Sequence, residues 1–66
     1  MWKVSAAKLR EAMLNTGVGT TELCARSGLT KDLIVKLRRG NSNSRDGTVY
    51  KIAQALGVKP REILEE

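Results

Sequence analysis

A chain of 66 residues with net charge +5, a single cysteine and no histidine is limited in what can hold it together and in what chemistry it can do. At this size only about 60% of the unfolded surface is buried, so the core is small, and neither an internal disulfide nor a closed zinc site can staple it. With no histidine to activate it, Cys24 is expected as a small buried residue rather than a nucleophile.

Helical spacing dominates from the start. In "VSAAKLREAML", Leu9, Ala12 and Met13 fall on one face, Ser5 is a suitable N-cap, and Gly17 ends the run. "TTELCARS" is a short second helix. Glu22 sits in its first turn, where a carboxylate suits the helix dipole. Gly28 supplies a left-handed C-cap, and Thr30 caps a third helix over about 30–39, with Ile34, Leu37 and Leu33 repeating helically before Gly40. "NSNSRDG" reads as a polar turn segment. Asp46 is the expected cap of a fourth helix, "TVYKIAQAL", which turns Val49, Ile52, Ala53 and Leu56 inward and stops at Gly57. In "VKPREILEE", Pro60 suits a first helical position, which makes a fifth short helix, and Ile63 and Leu64 close the core. The expected class is all-α, a bundle of five short helices over one domain, 1–66. Each helix is too short to persist alone in water, so tertiary packing must hold it.

The charge is unevenly placed. Residues 26–51 carry seven basic side chains against Asp32 and Asp46, a net +5, while residues 1–25 carry +1 and residues 52–66 carry −1. Such a concentration suits a polyanion partner, although a solvated helix face has the same composition. With Trp2 and Tyr50 the only aromatics, recognition by stacking single-stranded bases is disfavoured. No apolar run approaches a membrane span, and no signal-peptide core opens the chain. A reduced, cytoplasmic setting is the expectation, with no membrane partner, no cofactor and no small-molecule ligand.

Residues 20–39 carry a pattern: Cys24, then Gly28 four residues on, Leu29, Ile34 and Leu37. The small residue lets two helices cross closely, the glycine gives the turn its positive φ, and two apolar residues three apart anchor the second helix. This resembles the helix-turn-helix of the lambda repressor/Cro (XRE-like) family. "KLREAMLNTGVGTTEL" looks like that family's first helix and its lead into the second, and "TVYKIAQALGVKPREIL" is similar to its common ending. There are departures. Where many members pair a helix-one arginine with a helix-three glutamate, this chain has Met13 and Arg38, and where a glutamine often opens helix two it has Thr20.

The resemblance implies a sequence-specific regulator of transcription that binds double-stranded DNA, a repressor, with helix 3 in the major groove. Thr30, Lys31, Asp32 and Lys36 are then the candidates for base edges: lysine donates to guanine, aspartate accepts from cytosine N4, and Thr30 or Leu33 touches a thymine methyl. Asp32 equally serves the helix dipole, Leu33 equally serves the core edge, and the lysines equally serve solvation. Thr20, Arg39, Asn41, Ser42 and Asn43 are the candidates for phosphate, with Arg38 and Arg45 behind them, and the Asn/Ser run also fits plain turn chemistry. A homodimer on a palindrome is the family expectation. Trp2 fits either a lid on the core or a dimer contact. The alternative function is an antitoxin-like or accessory protein-interaction module with weak DNA binding. Nothing in the chain suggests an enzyme: it has no histidine, no convincing carboxylate pair and no phosphate loop.

Overall fold

Ser5 stops an extended N-terminal segment and starts the first helix, because its side chain accepts a hydrogen bond from the Lys8 N–H. In the computed structural model, which describes residues 1–65, the order is β1 (Trp2–Val4), α1 (Ala6–Thr16), α2 (Thr20–Ser27), α3 (Lys31–Arg39), β2 (Ser42–Ser44), α4 (Asp46–Leu56) and a 3-10 turn (Pro60–Glu62). The helices fall where their spacing predicts. Thr30 caps α3 by accepting from the Leu33 N–H at 3.3 Å. Gly28 ends α2 at φ +75°, a conformation that side chains other than glycine's adopt at a cost.

Most of the predicted core is buried, Ala12 included, while Leu33 and Leu64 only pack half-buried against it. Leu9, Met13, Leu23, Ile34, Leu37, Val49, Ile52, Ala53, Leu56 and Ile63 are buried together, joined by Val4 and Val18 from outside the helices. Cys24 is half-buried against this cluster rather than fully enclosed. α2 packs on α3 and α4, and α1 packs on α3. α3 is thus held from behind by two helices.

Three expectations are corrected. The architecture has four α-helices among the described residues, not five, and it includes a small sheet, so all-α is only approximate. Strands β1 and β2 pair antiparallel, with Trp2 opposite Ser44, Lys3 opposite Asn43 and Val4 opposite Ser42. "NSNS" has low strand propensity, but its position against the extended "WKV" decides, as tertiary context does for short strands. The expected fifth helix is one 3-10 turn because the chain beyond it is drawn back to β1. Ser5 N–H donates to Ile63 O at 2.8 Å, Glu65 N–H donates to Lys3 O at 2.9 Å, and Leu64 bridges Val4. Finally, Arg45 occupies the cap position of α4, with no side-chain cap bond. Asp46 is its first helical residue, and its carboxylate accepts a hydrogen bond from the indole Nε1–H of Trp2.

Candidate nucleic-acid interface

α3 divides its residues cleanly. Ile34 and Leu37 are buried, and Leu33 is half-buried against the core. Lys31, Asp32, Lys36 and Arg39 are exposed on the opposite side, where they line one shallow depression together with Val35. The α-helical repeat explains the grouping: Lys31, Val35 and Arg39 follow one another at four-residue steps, and Asp32 and Lys36 form the neighbouring row. The resemblance singled out the four charged residues, Lys31, Asp32 and Lys36 for base edges and Arg39 for phosphate. Val35 was missed, and its signal was an apolar residue out of phase with Ile34 and Leu37. Thr30 lies exposed at the head of this face.

The expected phosphate residues do not form one cluster. Thr20 is half-buried at the start of α2, which has no side-chain cap at Gly19. Its hydroxyl oxygen accepts from Arg38 Nη1, and Arg10 Nη1 in turn donates to the Arg38 carbonyl. Both arginines line a groove floored by Met13 and Val18 and rimmed by Gly19 and Thr20. The resemblance put Arg38 where a buried ion-pair partner is expected and made it a secondary phosphate candidate. It is half-buried, and its guanidinium ties α3 to α2 instead. Neither ion pair found among the described residues, Lys3–Glu65 and Arg26–Glu22, involves Arg10 or Arg38.

Arg39 projects freely from the last turn of α3. Asn43 is exposed on β2, and the Ser42 hydroxyl donates to the Gly40 carbonyl at 3.3 Å. Asn41 faces elsewhere. Its amide oxygen accepts from the Ala6 N–H at 2.9 Å, and its Nδ2 donates to Glu65 at 3.0 Å. It therefore completes the N-terminus of α1 and anchors the C-terminal segment. Arg45 is exposed beside Asp46 at the start of α4.

On a second surface, Trp2 and Tyr50, each about half exposed, line an almost wholly apolar groove with Val49, Pro60 and Leu64, flanked by Asp46 and Arg61. No helix among the described residues is long and apolar enough to cross a membrane.

Comparison with known proteins agrees with this geometry. Residues 8–65 match the family model of the Cro/C1-type HTH DNA-binding domain. An uncharacterized HTH-type transcriptional regulator, y4dJ, from Sinorhizobium fredii is 33% identical over 64 residues, covering 97% of this chain and 83% of that protein. The restriction-modification controller protein C.AhdI from Aeromonas hydrophila superposes with a TM-score of 0.78 at 32% identity, over 86% of each chain. The fold also recurs within HEPD from Streptomyces albus, solved with 2-hydroxyethylphosphonate and Fe(II). There the TM-score is 0.80 at 37% identity, over 86% of this chain but only 13% of that much longer one. A family match over nearly the whole chain, a regulator relative of similar length and an exposed, basic second helix of the motif together place this chain in the Cro/C1-type helix-turn-helix family, as a DNA-binding regulator of transcription.

Proposed function

We propose that this protein is a sequence-specific repressor that sets α3 into the major groove of double-stranded DNA as a homodimer. The observation that carries this reading is the outer face of α3, where Lys31, Asp32, Lys36 and Arg39 stand exposed together while Ile34 and Leu37 anchor the helix from behind. Thr30, Lys31, Asp32 and Lys36 reach base edges, with lysine on guanine and aspartate on cytosine. Thr20, Arg39 and Asn43 hold the backbone to either side and set the register, and Ser42 joins them by turning its hydroxyl from the Gly40 carbonyl to a phosphate. Asn41 is assigned to the scaffold, because its amide is spent on Ala6 and Glu65. Repression needs only occupancy of the operator, which a DNA-binding face supplies unaided.

The groove at Trp2, Tyr50 and Leu64 supports the homodimer. Its mostly apolar lining also includes Asp46 and Arg61, charges of opposite sign that a self-complementary interface can pair across a two-fold axis. Trp and Tyr are also the residue types that anchor such contacts.

Selection of bound sites from random duplexes, followed by a salt titration on the winner, tests the whole reading. The expected result is a palindrome with half-sites about one helical turn, or ~34 Å, apart, and an affinity that falls steeply with salt as counterions are released. A salt-insensitive affinity, or a selection that enriches nothing, overturns it and favours a protein-interaction module on the same fold.

A further inference from the structure

Val35 stands apart from the other apolar residues of α3. Ile34 and Leu37 are buried, and Leu33 packs against the core from its edge. Val35 is half-buried but outside that core cluster. It lies instead in the depression formed by Lys31, Asp32, Lys36 and Arg39. An apolar, β-branched residue in the middle of a solvated face stabilises neither the helix nor the core: it is a poorer helix former than the lysines and arginines around it, and the methyls it leaves in water gain nothing.

We propose that Val35 reads the C5-methyl of a thymine in the half-site, an assignment that rests on the reading that α3 enters the major groove. Chemistry selects the target. A valine side chain neither donates nor accepts, so it cannot pair with the polar edges of guanine, adenine or cytosine. The thymine methyl is the one apolar group that an unmodified base pair shows in the major groove. Stiffness adds to this: in a helix Val has essentially one χ1 rotamer, so its two methyls are held in place before binding. The neighbours complete the reading head. Lys31 one turn before Val35 and Arg39 one turn after it, with Asp32 and Lys36 alongside, surround an apolar contact with polar ones. At the sequence level Leu33 and Thr30 were the residues aimed at a thymine methyl. Leu33 packs half-buried against the core, and Thr30, five residues before Val35 at the head of the helix, keeps its methyl for a different base pair.

The test replaces each thymine of the selected duplex singly with deoxyuridine, which removes the methyl and nothing else. Affinity is read by fluorescence anisotropy for the wild type, Val35→Ala and Val35→Thr. For the wild type, one thymine per half-site should show a loss of about fourfold, the equivalent of one buried methyl-sized group. At that position Val35→Ala should bind thymine and uracil duplexes alike and bind the parent duplex more weakly than the wild type does. Val35→Thr, which keeps the shape and exchanges one methyl for a hydroxyl, should have a reduced ratio and serves as the readout if circular dichroism shows that the alanine variant has lost helix. A wild-type thymine/uracil ratio retained by the variants, or a selective wild type indifferent to uracil at every position, overturns the Val35 assignment alone. A wild type that selects no duplex overturns the major-groove reading and this assignment together.

Discussion

Arg38 donates through Nη1 to the hydroxyl of Thr20, which ties the last turn of α3 to the first residue of α2. The bond spans the two helices of the helix-turn-helix at the ends remote from the Gly28 turn, so it fixes the angle that the turn leaves adjustable. It stands where the resemblance to the lambda repressor/Cro family leads one to expect one end of a buried ion pair. The other end here is Met13, which is buried in the core and needs no partner. A single charge-assisted bond thus replaces a pair whose burial costs desolvation on both sides.

Arg38→Met should destabilise the fold by about 1–2 kcal/mol through loss of that bond, which lowers the melting temperature by about 4–8 °C per kcal/mol in a domain of this size. Thr20→Val removes the acceptor instead. If the two groups act as a unit, the double variant should be less destabilised than the two single effects added together, by roughly 1 kcal/mol. Thermal unfolding of all four proteins measures this, and strictly additive effects would show that the bond does not couple the helices.

Asn41→Ala should cost stability and spare DNA binding. Its amide oxygen satisfies the Ala6 N–H, and its Nδ2 reaches Glu65, so the variant should lose about 1–2 kcal/mol, as for other lost caps. The slope of log affinity against log salt should stay at the wild-type value, because no phosphate contact is removed. A flattened slope at unchanged stability would return Asn41 to the phosphate-binding residues. Asn41→Asp keeps the acceptor and should recover part of the lost stability.

Gly28→Ala isolates a backbone effect. Gly28 sits at φ +75°, and a Cβ built there meets nothing within 4 Å. The cost is therefore conformational alone, about 1–2 kcal/mol for an L-residue held in the left-handed region. Gly28→Asn should cost less than alanine, because asparagine tolerates that region better. Equal melting temperatures for wild type and Gly28→Ala would mean that the turn relaxes out of the left-handed conformation.

What the sequence made legible follows from distance along the chain. The caps at Ser5 and Thr30 and the stops at Gly17, Gly28 and Gly57 are bonds within a turn or two of backbone, and local residue types specify them. The inward residues of α4 follow from a 3.6-residue repeat. The pairing of "WKV" with "SNS" joins segments about forty residues apart and leaves no periodic trace in either. Asn41, in a run of turn-forming residues, gave no sign that its amide serves the start of α1. On α3 the excess of basic residues was readable from composition, while the residues of its outer face followed from the family resemblance. Leu33, four residues before Leu37, was legible as a core-edge residue, and Val35 carried a signal in being out of phase with Ile34 and Leu37, but the reason for an apolar residue on the outer face is not local to the helix.

Lys36 and Arg39 lie on the same face of α3 and carry the same charge, so binding strength alone does not separate their roles. Their chemistry does. Lys36→Ala should relax preference at one base pair, at a cost of about 1–3 kcal/mol on the selected site and little on unrelated sequence. Arg39→Ala should weaken all duplexes by a similar factor and reduce the magnitude of the salt slope by about 1, since it removes one phosphate contact. The Lys36 variant has also lost a cation near the duplex, so its slope should flatten slightly as well. The deciding quantity is therefore the ratio of specific to non-specific affinity at fixed salt. That ratio should fall for Lys36→Ala and hold for Arg39→Ala. If both variants lower the ratio equally, Arg39 reads a base as well, and the division between base and backbone readers along α3 must move one turn toward its C-terminus.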